Sequence, residues 1–203
     1  MEFEFAANRI IFESELSNLD RLVIKFTRIL DRAGVDYVII SGYIAILFGR
    51  SRNTEDVDLF IEEMPFEKFR AFWKALDREG FECINAFSAQ SAYNDYLKDK
   101  LAIRCAAKGT MEPNFELKFP KSKYNNYSMA NKIEVILNGS RIVTSELEMQ
   151  IAFKLKLGSD KDFEDAKHLY EVFKGHLDMN LLKAQINELE VVNEAENVLW
   201  GKA

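Results

Sequence analysis

The 203-residue chain is poor in residues that staple, kink or ligate: it has two cysteines, three prolines and two histidines. Cys83 and Cys105 lie far apart in sequence with no histidine at ligand spacing, which fits buried free thiols in a reducing cytoplasm rather than a metal or disulfide framework. No apolar run approaches the roughly 20 residues that a membrane helix needs, so no membrane partner is expected. The opening "MEFEFAANRII" carries acids where a secretory signal carries bases; no signal peptide is expected, and a cytoplasmic location follows. A basic excess is missing too. The net charge of -6 argues against a surface given wholly to nucleic acid, while leaving room for a local basic patch. Internal repeats and low-complexity linkers are absent. Apolar residues, in contrast, make up 48% of the chain and aromatics 12%, the composition of a packed globular protein with one full-sized core.

Periodicity organises that material. Leu19, Leu22, Val23, Phe26, Ile29 and Leu30 fall at helical spacing in "LSNLDRLVIKFTRILDRAG", and Gly34 stops the helix. "VDYVII" reads as a buried strand, Ser41-Gly42 as a turn into the short helix "YIAILFG", and "VDLFI" as the next strand. A helix follows between Pro65 and Gly80. "FECI", "LAIRCAA" and "FELKF" look like strands, and "KIEVILNGSRIVT" like a hairpin turning at Asn138-Gly139. Beyond Thr144 the pattern is helical to the end. Ser145 and Glu148 fit a capping box for "ELEMQIAFKLKL", and Ser159 or Asp160 can cap "KDFEDAKHLYEVFK", which Gly175 closes. Two more helices are expected near 178–190 and 193–200. The expected fold is α+β: a mixed β-sheet with flanking helices over residues 1–144, then a C-terminal helical annex over 145–203.

Three features carry chemistry. Asp56 and Asp58 open a strand one residue apart, so alternation sends both to one face and Val57 to the other. Such a pair is either a solvated strand end or a site for a hard cation, since Mg²⁺ takes one or two carboxylates plus substrate phosphates. Glu116, in "NFELKF", either completes an acidic triad or faces water. In the annex, Leu147, Ile151 and Leu155 define an apolar arc, and Lys154 points into it while Lys156 points away. A lysine so placed snorkels out or meets an anion. Asp162 falls within the apolar face of the next helix and Asp165 at its border. Asp162 either meets the helix dipole or belongs to a site.

These residues resemble the nucleotidyltransferase superfamily of the DNA polymerase β type. The turn Ser41-Gly42 precedes "RNTEDVDLFI", which is similar to that family's Asp-x-Asp strand. "SELEMQIAFKLKLGSDKDFEDAKHLYEVF" looks like the segment of AbiEii-type abortive-infection toxins in which a lysine on one helix precedes Lys/Arg-Asp-x-x-Asp on the next; Lys154 matches the first, and Lys161, Asp162 and Asp165 the second. The likeness covers about residues 36–173. It departs at Ser41, where relatives carry glycine. The resemblance implies a nucleotidyltransferase-like fold and transfer of a nucleoside monophosphate from an NTP to an RNA, protein or small-molecule hydroxyl. It implies Mg²⁺ (or Mn²⁺) on Asp56, Asp58 and Glu116, a catalytic set of these three with Lys154 and Asp162, and nucleotide contacts from Ser41, Gly42 and Lys154. A toxin–antitoxin or phage-defence role with an antitoxin partner follows from the same likeness. The stretch "KFPKSKYNNYSMANK" mixes lysines with tyrosines and is either an exposed loop or a contact for an RNA acceptor. The competing expectation is a non-catalytic relative that binds a nucleotide or a partner protein.

Overall fold

A computed structural model describes residues 2–6 and 8–201. In chain order it runs β1 (Glu4–Ala6), β2 (Arg9–Phe12), α1 (Asn18–Arg32), β3 (Tyr37–Ile40), α2 (Gly42–Leu47), β4 (Asp56–Ile61), α3 (Phe66–Arg78) and β5 (Phe81–Cys83). There follow α4 (Ala89–Ser91), a π-helical turn (Ala92–Leu97), β6 (Ile103–Ala107), β7 (Asn114–Lys118), α5 (Lys123–Ala130), β8 (Lys132–Leu137) and β9 (Ser140–Ser145). The chain finishes with α6 (Leu147–Leu157), α7 (Asp160–Phe173), α8 (Met179–Glu188) and α9 (Val192–Val198). Among the described residues the strands join one mixed, nine-stranded sheet in the order β1-β2-β8-β9-β3-β4-β7-β6-β5. This is the α+β architecture expected, with the expected hairpin turning at Asn138-Gly139.

The centre of the sheet positions everything that follows. β4 lies between β3, antiparallel, and β7, parallel. Val57, Leu59 and Ile61 on β4 are fully buried, as are Phe115 and Leu117 on β7. α1 covers that face: its Phe26 ring stacks on Phe115 at 3.8 Å and meets Phe81 edge-on at 5.1 Å. Each such ring contributes about 1.5–3 kcal/mol by leaving water. One contiguous apolar cluster runs from these strands into α6, α7 and α8 through Ile151, Leu155, Leu169 and Leu182. No helix among the described residues is long and apolar enough to cross a membrane.

Local chemistry differs from expectation at three places. β1 and β2 extend the sheet with an unassigned N-terminal hairpin, β2 pairing parallel to β8. Ser145 does not cap α6: it completes β9, its hydroxyl donates to Gln150 Oε1 at 3.2 Å, and Glu148 instead accepts the Asp178 N–H at 2.7 Å. Ser122 caps α5 within the lysine–tyrosine stretch, so that segment is helix as well as loop. Ser159 does cap α7, accepting the Asp162 N–H, and Gly158, at φ 75°, ends α6 in the left-handed conformation.

Candidate active site

Asp56 and Asp58 stand at the mouth of β4, with Val57 turned into the core. The parallel ladder sets Glu116 directly beside Asp58, so all three carboxylates share one face of the sheet. The like charges do not stand alone. Lys118, two residues after Glu116 and therefore on the same face, donates to Asp58 at 2.9 Å and lies 4.0 Å from Glu116. Arg104, opposite Glu116 on β6, donates to it at 2.8 Å. Thr54 Oγ1 lies 3.4 Å from Asp56 Oδ1 and donates to the Asp56 carbonyl at 3.0 Å. Among the described residues no three Asp, Glu, His or Cys side chains converge to hold a metal ion by themselves. Mg²⁺ commonly needs only one or two carboxylates when phosphates and water complete its shell. The donor chemistry of Asp56 and Asp58 therefore fits it.

Ser41 precedes α2 at φ 68° and ψ -139°, a conformation glycine adopts readily and serine adopts at a cost on the order of 1–3 kcal/mol. Gln150 of α6 holds it there. Its Nε2 donates to the Ser41 carbonyl at 2.9 Å, and its Oε1 accepts the Ser41 N–H at 3.2 Å. The Ser41 N–H, expected to face phosphate, is thus engaged within the protein. Gly42 serves a different purpose: a Cβ there would sit 2.8 Å from Arg52 Nη2, so only glycine lets the guanidinium lie against the turn.

Behind the turn, α6 and α7 meet the loop after α2 through a buried ionic cluster. Lys154, only 3% exposed, donates to Asp162 at 2.6 Å and pairs with Asp165 at 2.9 Å. Asp165 is fully buried and also receives Arg50 and Arg52, while Arg50 reaches Glu164 as well. Burial draws the Lys154 ammonium below its ordinary pKa, against the pull of Asp162. Burial alone would raise Asp162, yet hydrogen bonds from Lys154 and Ser159 hold it below the usual carboxylate range. Arg52 is lowered by burial and by neighbouring Arg50. Helical spacing places Asp162 on the apolar face and Asp165 at its border; in the fold Asp165 is the more buried of the two. The reason lies in partners remote in sequence, Arg50 and Arg52, which draw it inward.

The two groups face one cavity of about 350 Å³, lined by Ser41, Asp58, Phe60, Tyr124, Asn125 and Gln150, and by the lysines 100, 118, 121 and 154. Of the expected site residues, Ser41, Asp58 and Lys154 line it; Asp56, Glu116, Gly42 and Asp162 support it from the strands and helices behind. Gln150 and Arg50 carry no expectation from sequence, Lys118 is expected only as part of the basic stretch, and Asp165 only at the border of its helix face and in the family motif. Strand alternation from Glu116 was signal enough for Lys118, and a glutamine within the apolar α6 was a weaker signal for Gln150.

No family model matches the chain, and no curated protein matches it in sequence. Its fold, in contrast, has solved counterparts. It is similar to an antigenic nucleotidyltransferase-like protein from Paracoccidioides brasiliensis, with a TM-score of 0.55 and 18% identity over 90% of this chain and 92% of that one. It is also similar to the antibiotic-resistance factor ANT(2'')-Ia in solution, with a TM-score of 0.56 and 11% identity over 90% of this chain and 97% of that one. The crystal structure of ANT(2'')-Ia with adenylyl-2''-tobramycin gives 0.56 and 12% over 86% and 98%. At these identities the likeness establishes the fold: a nucleotidyltransferase-like sheet with flanking helices.

Proposed function

We propose that the chain is a metal-dependent nucleotidyltransferase that moves a nucleoside monophosphate from an NTP to an acceptor hydroxyl. One observation carries this reading: at the mouth of a central strand Asp58, with Asp56 behind it on the same face, lines a cavity whose other charged lining is lysine. In this reading Asp56 and Asp58 hold Mg²⁺ (or Mn²⁺), with Glu116 beside them. The bound cation supplies charge stabilisation to the triphosphate as pyrophosphate leaves. Lys154, fixed by Asp162 and Asp165, presents a positive charge to the phosphates at little reorganisation cost. Gln150 holds the Ser41-Gly42 turn at the cavity wall.

The lining also bears on the acceptor. ANT(2'')-Ia was solved with an adenylylated aminoglycoside, tobramycin. Four lysines against the single carboxylate of Asp58 make a poor seat for a polycation here. Lys118, Lys121, Tyr124 and Asn125, all within the basic stretch, favour an anionic occupant such as RNA over an aminoglycoside. The AbiEii-type likeness of residues 145–173 supports the finer proposal of a toxin–antitoxin or phage-defence component with a neutralising partner. A second reading, a non-catalytic nucleotide- or partner-binding relative, is favoured by two contacts: the Ser41 N–H is held by Gln150, and Asp58 by Lys118.

The test is transfer of label. Protein is incubated with Mg²⁺, each NTP labelled in turn at the α-phosphate, and total RNA, lysate protein or tobramycin. An RNA or protein band should carry α label and stay dark with γ label. A γ-labelled product would mean phosphoryl transfer. Label on tobramycin alone would overturn the acceptor reading, and none with any acceptor would leave the binding relative.

A further inference from the structure

Away from the cavity, on the far edge of the sheet, the two cysteines come together. Cys83 of β5 is the direct cross-strand partner of Cys105 of β6. The flanking bonds fix the kind of pair. Ile84 donates its N–H to the Arg104 carbonyl at 2.8 Å, and Lys108 to the Gly80 carbonyl at 2.9 Å. Hydrogen-bonded pairs alternate with non-hydrogen-bonded ones along an antiparallel ladder, so 83 and 105 form a non-hydrogen-bonded pair. Such pairs bring Cα atoms to about 4.5 Å, inside the range of about 4.4–6.8 Å over which a disulfide closes.

The two thiols are unlike. Cys105 is fully buried, and its interaction with the neighbouring Cys83 sulfur together with burial pushes its pKa up. Cys83 is half-buried and lines a groove of about 270 Å³ beside Trp73 and the exposed Phe87. The Cys105 thiol beside it, with the nearby backbone N–H groups of Asn85, Ala86 and Arg104, holds Cys83 at about 7 against the effect of burial. Its thiol now donates to Asn85 Oδ1 at 3.3 Å, a bond that those N–H groups outweigh on deprotonation. A thiolate with several donors, open to solvent on one side and a second thiol on the other, has the arrangement of an attacking and a resolving cysteine.

We propose that Cys83 is a reactive thiol that exchanges with small disulfides, and that Cys105 resolves the adduct into a β5–β6 disulfide. The Cys83 thiolate attacks one sulfur of a disulfide RSSR, forming Cys83–S–SR and releasing RS⁻. Cys105 then loses its proton to RS⁻ and attacks the Cys83 sulfur, releasing the second RS⁻, which takes up the proton Cys83 gave to solvent. The two protein thiols are oxidised, and RSSR is reduced to two RSH. Asp77, paired with Lys108 at 2.7 Å, and Glu82 leave the groove lining negative on balance, which favours a cationic over an anionic disulfide. The groove shares no lining residue with the cavity proposed for nucleotidyl transfer.

Cystamine is the probe, with oxidised glutathione as its anionic counterpart, and native full-length protein is followed by non-reducing mass spectrometry with peptide mapping. Wild type should pass to an intramolecular Cys83–Cys105 disulfide with no retained cysteamine, several-fold faster with cystamine than with oxidised glutathione. Cys105→Ala should retain one cysteamine on Cys83, and Cys83→Ser should not react. If Cys105→Ala does not fold, the wild-type time course decides, since a transient adduct must appear on Cys83 before the disulfide. An adduct on Cys105, an adduct on wild-type Cys83 that never resolves, or no reaction of the native protein would overturn the proposal.

Discussion

Two charge clusters border the same cavity, and they are built on opposite terms. Behind α2, Arg50, Arg52 and Lys154 meet Asp162, Glu164 and Asp165, three cations to three carboxylates, with Asp165 fully buried at the hub. On the sheet face, the ion pairs found among the described residues join Lys118 to Asp58 and Glu116, and the half-exposed Arg104 to Glu116, with none at Asp56. The first cluster is balanced, and removing its buried hub Asp165 strands buried charge. The second carries one carboxylate in excess and stays reachable from the cavity through Asp58. A balanced, buried network fastens helices, whereas a surplus of one sign in an open place can accept a ligand. On this view the annex charges chiefly set a scaffold, and the sheet carboxylates are where an added cation belongs.

The largest effect that would break this contrast is on stability. Asp165→Ala leaves Arg50, Arg52 and Lys154 sharing a site without its hub, and should destabilise the fold by about 3–5 kcal/mol. Urea titration measures it; a loss under about 1 kcal/mol would mean that the cluster is no fastener. Next come the sheet carboxylates. Asp56→Asn and Asp58→Asn should each lower α-label transfer at least about 100-fold, while leaving the urea midpoint nearly unchanged, because relief of like-charge repulsion offsets the lost partners. A large stability loss with activity retained would give the pair a structural role instead.

Lys154 sharpens the comparison because, of the balanced cluster, it alone among the described residues lines the cavity. Lys154→Met keeps the buried stem and removes the charge. It should cost activity about tenfold or more beyond any loss of folded protein, as expected for a phosphate-facing cation in a preorganised site. Lys156 is exposed on the other side of α6, and Lys156→Ala should change neither activity nor stability measurably. Equal effects from the two would mean that the inward lysine only packs.

The contrast also explains what could be read from sequence. Asp56 and Asp58 were legible because two-residue alternation is local, and Lys154 because Leu147, Ile151 and Leu155 mark the buried side of one helix. The longer helices, the Asn138-Gly139 hairpin and strands β3 to β9 were legible by the same periodicities, whereas β1, β2 and the short helices α4 and α5 were not. The Asp165 hub was not, since its burial depends on Arg50 and Arg52, more than a hundred residues earlier. Nor was the engagement of Ser41, because the glutamine that holds it lies 109 residues away on α6. Local patterns reveal which face a side chain takes, and only the fold reveals which charges meet there.

The smallest effect concerns what sits between the carboxylates. Lys118 bonds Asp58 at 2.9 Å and lies near the Phe60 ring, 6.0 Å from its centroid, so its ammonium is held loosely from both sides. The pair is about a quarter exposed on the lysine side, and solvent screening limits its strength to roughly 0.2–1 kcal/mol. If Asp58 is a metal ligand, that interaction must be given up when a cation binds, and Lys118 competes for the same oxygen. Lys118→Ala should then tighten Mn²⁺ binding without nucleotide by up to about fivefold, the factor that about 1 kcal/mol gives. Electron paramagnetic resonance of free Mn²⁺ reads this without any turnover. With NTP present the gain should shrink or reverse, because the displaced ammonium is then close enough to the cavity to meet a phosphate. Unchanged Mn²⁺ affinity in the variant would mean that the lysine and the metal do not share Asp58, and the surplus carboxylate would have to be sought on Asp56 and Glu116 alone.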